Sequence, residues 1–183
     1  MRMRSAAIAL VLFAVSIAAH ADDRDFTGVV THVFDGDSFV VTAGSQKIEV
    51  RLQGIDAPER YQPHADVARD ALIGLIRGQR VYVDVIELDR FKRKVAKVYR
   101  EADCLDVIQA LVRDGHAWVS RRFTNDAALI ALEDDAKARA VGLWSLPQSE
   151  RVPPWEFRKQ NSGKREPSED KRVRQRSQRK VAS

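Results

Sequence analysis

Cysteine is almost absent: Cys104 is the single one in 183 residues. An internal disulfide is therefore excluded, and the core must hold by packing even in an oxidising compartment. Cys104 itself is expected to be a small buried or half-buried residue rather than a reactive thiol. Histidine is scarce as well. His20, His32, His64 and His116 are scattered, and no His/Cys cluster has zinc-ligand spacing. Long apolar runs are missing from the body of the chain. The one such run, Ala6–Ala19, has 14 residues, short of the roughly 20 that a membrane-spanning helix needs. It follows Arg2 and Arg4 and leads into Ala19-His20-Ala21, with small residues at the two positions a signal peptidase reads. Residues 1–21 are thus expected to be a secretory signal peptide, and the mature protein a soluble one in the periplasm or outside the cell. Internal repeats and Gly/Ser linkers are also lacking.

Charge of one sign is missing from the body, although the whole chain carries a net +5. Residues 22–158 hold 20 basic and 23 acidic side chains, whereas 159–183 hold 9 basic and 3 acidic. The high overall basicity comes from the tail, so it gives no reason to read the body as a nucleic-acid binder. The tail has almost no apolar residues and is expected to be disordered, either a solubilising extension or an aid in holding a polyanion.

The body, residues 22–158, opens with strands. Gly28 to Phe34 is rich in β-branched residues, and Asp35-Gly36 supplies a turn. A second strand is expected over Ser38 to Thr42. Lys47 to Leu52 alternates, with Ile48, Val50 and Leu52 on one face and Lys47, Glu49 and Arg51 on the other. A helix follows, with Pro63 in its first turn and Ala68, Ala71, Leu72, Leu75 and Ile76 on one face, ending at Gly78. Strands are expected over Arg80 to Glu87 and Arg93 to Tyr99. A second helix runs from about Val107 to Asp114, capped by Asp106 and stopped by Gly115. A third runs from about Asn125 to Val141, capped by Thr124 and closed by Gly142. This is an α+β order. Five short strands with a helix inserted after the third suit a small closed barrel, since an open sheet would leave two bare edges.

Three stretches carry groups suited to phosphodiester hydrolysis, which needs a cation, a base and positively charged donors. Asp35-Gly36-Asp37 places two carboxylates around a glycine at a strand end, a pattern shared with plain hairpin turns. In Arg51 through Glu59, Asp56 and Glu59 lie in the turn beyond the strand. Pro58 pushes Ala57 towards an extended backbone that can aim its carbonyl. Such oxygen donors suit a hard cation such as Ca²⁺. Asp89-Arg90-Phe91-Lys92-Arg93 gathers cations around one aromatic, and arginine forks suit a phosphate. The residues alone leave open whether Asp35 or Asp37 is the ligand.

Together these stretches resemble the staphylococcal nuclease (thermonuclease-like) family. The resemblance is carried by Asp35-Gly36-Asp37-Ser38, Arg51 through Glu59 and Asp89 through Arg93. Two further pieces are Ala110 through Val119 and Gly142-Leu143-Trp144, all in the family's order from about Asp25 to Ser145. It implies an OB-fold, a five-stranded β-barrel with three α-helices. It also implies a Ca²⁺-dependent nuclease acting on DNA or RNA, most simply as a monomer, and leaving 3′-phosphate and 5′-hydroxyl ends. By position, Asp37, Asp56 and the Ala57 carbonyl look like the Ca²⁺ ligands. Glu59 looks like the residue that orients or deprotonates the water, and Arg51 and Arg93 like the phosphate-gripping arginines. Arg90 and Phe91 stand where the family has a substrate-touching lysine and tyrosine. Other departures are Ala57 for threonine, Lys92 for a glycine, Arg121, Arg122 and Phe123 in place of base-stacking tyrosines, and a short loop after Glu59. Two competing readings follow from the same features. One is a non-catalytic OB-type nucleic-acid-binding module; the other is a secreted interaction protein whose basic tail docks on an anionic surface.

Overall fold

A computed structural model describes residues 25–161. The predicted signal segment and most of the predicted tail lie outside them. Five strands form the barrel: β1 (Phe26–Val33), β2 (Ser38–Ala43), β3 (Gln46–Leu52), β5 (Arg80–Leu88) and β6 (Lys94–Arg100). The order is β3-β2-β1-β5-β6, and a parallel β3–β6 pairing closes the ring. Three short strands, β4 (Ile55–Asp56), β7 (Leu105–Asp106) and β8 (Trp118–Val119), sit at its margins, with β4 pairing β8. Irregular register in β1 between Val30 and His32, and in β5 between Val85 and Glu87, coils these strands enough to close so small a barrel. The α+β barrel expected from the element order is therefore present.

The barrel interior is filled by one face of each strand. Val30, Phe39, Val41, Val50, Leu52, Val81, Val83, Ala96 and Val98 are all essentially inaccessible to solvent. The alternation of β3 holds: Val50 and Leu52 point inward, while Lys47 and Glu49 are exposed and Arg51 lies on the outer face. Helix α1 (Ala65–Ile76) buries Ala68, Leu72 and Ile76, the stripe read from the sequence. It begins later than expected. Pro63 precedes the helix, because His64 takes a left-handed conformation, φ 72°, that a continuing helix cannot pass through. Asp106 caps α2 (Val107–Arg113) by accepting from the Gln109 amide. Helix α3 (Ala127–Ala138) is capped by Asp126, not Thr124. The Asp126 carboxylate accepts from the Ala128 and Leu129 amides, while Thr124 instead receives the Asp126 amide.

Two further expectations are corrected. A fourth helix, α4 (Pro154–Asn161), follows the three predicted ones and runs past the boundary placed at Lys159. Its signal was Pro154, which suits a first helical turn because its missing N–H would have no partner there. Cys104 is exposed rather than buried, since it sits in the turn after β6 with φ 56°.

The imidazoles of His64 and His116 join the start of α1 to the turn after α2. His64 Nε2 lies 3.0 Å from His116 Nδ1 with the rings stacked. Burial, and then the neighbouring His116, press the His64 pKa down to about 4. An unfolded histidine titrates near 6.5, so below that pH the unfolded chain takes the proton first. The contribution is complete above pH 6.5 and is lost as pH falls towards 4. For a ring only half buried, about 1–2 kcal/mol is expected after discounting solvent screening. Thermal unfolding at pH 7 and pH 4.5 should show a smaller acid-induced drop in Tm for His64→Gln than for the wild type.

Candidate active site

The turn from β1 to β2 holds the first two acids, and their environments separate them. Asp35 builds the turn: its Oδ1 accepts from the Asp37 amide and, at 2.6 Å, from the Ser38 hydroxyl. Asp37 is 2% exposed and faces inward. Its Oδ1 accepts from Arg51 Nη1 at 2.8 Å and its Oδ2 from the Ala57 amide at 2.8 Å. Gly36 lets this turn close down on its neighbours, because a Cβ there would stand 2.7 Å from the Ala57 Cβ and 3.0 Å from that of Ala68.

Arg51 lies on the outer face of β3 and bridges two carboxylates. Its second fork nitrogen donates to Asp56 Oδ1 at 2.8 Å, on β4, so one guanidinium spans Asp37 and Asp56. Both acids are almost fully buried. Burial drives the Asp37 pKa up to about 8, with Asp35 and Asp56 adding repulsion against the pull of Arg51 and the Ala57 amide. Glu59 follows in the turn after Pro58. Its amide donates to Gln62 Oε1 at 2.7 Å.

Arg158, on α4, also belongs to this cluster. Its Nη2 donates to Asp56 Oδ2 at 2.5 Å, and its Nη1 to Asp56 Oδ1 at 3.1 Å and to Glu59 Oε1. The hydrogen bonds to Asp56 in particular raise its affinity for its proton further. Sequence reasoning missed it, because no local pattern links it to Asp56, 102 positions away.

Arg93 does not touch the acid cluster. It stands just before β6, whose Val95 pairs with Arg51, and is held by Asp89. Asp89 is the hub of the β5–β6 turn. Its Oδ1 accepts from the Phe91 and Arg93 amides and its Oδ2 from Arg93 Nε at 2.7 Å. Burial alone would raise the Asp89 carboxyl, yet these donors hold it below the usual carboxylate range. Arg90 and Arg93 flank the exposed Phe91 ring, with their guanidinium carbons 4.8 and 5.5 Å from its centroid. Lys92 adopts φ 65°, the left-handed conformation a glycine takes without strain. The turn is thus kept and the lysine bears the strain. Lys92→Gly should keep the turn and raise stability by up to about 1 kcal/mol, read from denaturant unfolding.

The structure therefore brings Asp37, Arg51, Asp56, Ala57 and Glu59 together and sets Arg90, Phe91 and Arg93 on an adjacent hairpin. The carboxylates of Asp37 and Asp56 offer oxygen ligands, which suit a hard cation. Asp37 carries one hydrogen bond on each oxygen, so both retain a lone pair. Burial above all, and then repulsion from Asp35 and Asp56, disfavours its charged form, and a bound cation would favour it. Among the described residues no group of three or more His, Cys, Asp or Glu side chains is arranged to hold a metal ion. A cation here would rest on two carboxylates, a carbonyl and outer ligands.

The model of the family described as staphylococcal nuclease homologue matches residues 49–146. The chain belongs to this family. It is 35% identical over 166 residues to a micrococcal nuclease of Shigella flexneri, covering 86% of this chain and 92% of that protein. It is 36% identical over 174 residues to Protein ParB of Escherichia coli, covering 90% and 95%. An uncharacterized endonuclease of Escherichia coli O157:H7 is 36% identical over 151 residues, covering 82% and 95%. The nuclease is thus a hydrolase of phosphodiester bonds, with nucleic acid as its substrate. No helix among the described residues is long and apolar enough to cross a membrane.

Proposed function

We propose that the protein is an exported, Ca²⁺-dependent nuclease that cuts DNA or RNA internally and leaves 3′-phosphate and 5′-hydroxyl ends. It acts as a monomer in the periplasm or outside the cell. The observation that carries this reading is the single Arg51 guanidinium spanning two buried aspartates beside Glu59.

In this reading Asp37, Asp56 and the Ala57 carbonyl hold the cation. When bound, it supplies positive charge to a phosphate oxygen and polarises the phosphorus for attack. Glu59 orients a water in line with the 5′ leaving oxygen and takes its proton. Arg51 donates to the phosphate, stabilising the charge that builds on its oxygens in the transition state. Arg93, aimed by Asp89, donates from the other side. Arg90 and Phe91 offer a cation and a ring face to the neighbouring nucleotide.

The test is digestion of plasmid and RNA with Ca²⁺ or with a chelator, followed by end analysis with labelled oligonucleotides. Cleavage with Ca²⁺ alone and 3′-phosphate ends are expected. Binding without cleavage in both conditions would replace this reading with a non-catalytic module.

A further inference from the structure

The family match ends at residue 146, and the chain beyond it folds back onto the acids. Val152 accepts from Gln62 Nε2 at 2.8 Å, and the same Gln62 holds the Glu59 amide. Pro154 is buried. The Trp155 ring stands edge-on to Trp118, with centroids 5.9 Å apart, and Trp118 is the residue paired with Asp56 across β4 and β8. Helix α4 is therefore seated on both the Asp56 strand and the Glu59 turn by contacts that do not involve Arg158. These contacts deliver the Arg158 guanidinium to Asp56 and Glu59 together.

Glu59 needs such a partner. Its side chain is 37% exposed on a turn, and a solvated glutamate there would sample several rotamers. The planar fork of Arg158 sets the Glu59 carboxylate at a fixed spacing from Asp56. Asp56 Oδ1 accepts from both Arg51 and Arg158, whereas Asp56 Oδ2 and each Asp37 oxygen accept one hydrogen bond and keep a lone pair for a cation.

We infer that Arg158 is a positioning residue of the nuclease site, fixing Glu59 relative to Asp56. This rests on the Ca²⁺-dependent nuclease reading above.

The test is a cycle of wild type, Glu59→Gln, Arg158→Ala and the double variant, assayed in saturating Ca²⁺. Arg158→Ala is expected to lower kcat by about 10²-fold, the cost of misplacing a reacting group by about an ångström. The double variant should be no slower than Glu59→Gln alone. Added guanidinium ion should restore part of the Arg158→Ala rate, and Arg158→Lys should keep part of it. The same cycle read by thermal unfolding of the cation-free protein should be non-additive. Additive losses in kcat, an unchanged kcat in Arg158→Ala, or a faster Arg158→Ala enzyme would each overturn the inference. A wild type inactive in Ca²⁺ would sink the nuclease reading itself, whereas an active wild type with an equally active Arg158→Ala would sink this inference alone.

Discussion

Replacing Glu59 by Gln is expected to lower kcat on plasmid DNA by about 10²–10⁴-fold, the usual cost of a lost general base. The change keeps the size of the side chain and its hydrogen-bonding atoms. The surrounding turn depends on the Glu59 amide and Gln62, not on the carboxylate. Folding should therefore survive, and Tm in Ca²⁺ should move by only a few degrees. KM should change little, because the glutamate is placed to act on the water rather than to grip substrate. Steady-state kinetics beside a melting curve check this. Turnover at the wild-type rate would remove Glu59 from its assigned role.

Arg51→Ala is expected to act on both activity and stability. Loss of a charged donor to the phosphate costs about 10²–10³-fold in kcat. The same side chain is also the bridge between Asp37 and Asp56, which are 2% and 4% exposed. Removing it leaves Asp37 buried without a charged partner and with Asp35 close by, while Arg158 still pairs Asp56. Breaking a buried ion pair on one side typically costs about 3–5 kcal/mol. Denaturant unfolding in chelator should show a loss of that size. Ca²⁺ should recover much of it, since a bound cation screens the same two carboxylates, and binding to the folded state alone stabilises it. A variant destabilised equally with and without Ca²⁺ would show that the cation does not take up the charge of these aspartates.

Much of the barrel was legible from local pattern. The alternation of β3 separated Arg51 from Val50 and Leu52, and the stripe of α1 named the residues that are buried. Both depend on periodicity, which a single strand or helix carries by itself. The misplaced details depend on contacts between neighbours. Thr124 and Asp126 are both able caps, and only the backbone geometry selects Asp126. His64 and Lys92 hold left-handed backbones that their residue types do not announce. Asp35 and Asp37 look alike in sequence, and it is the approach of Arg51 and the Ala57 amide that distinguishes them. Arg158 lay furthest from view. Its partners stand about a hundred positions earlier, and the segment around it looked like the start of a basic tail until Trp155 and Gln62 are seen to anchor it.

A crystal structure of the protein grown with Ca²⁺ tests the central claim most directly. A single cation should sit about 2.3–2.6 Å from the carboxylates of Asp37 and Asp56 and from the Ala57 carbonyl, with Glu59 and Arg51 facing the same side. Ca²⁺ bound elsewhere or not at all, with Asp37 and Asp56 paired to Arg51 and Arg158 alone, would contradict it.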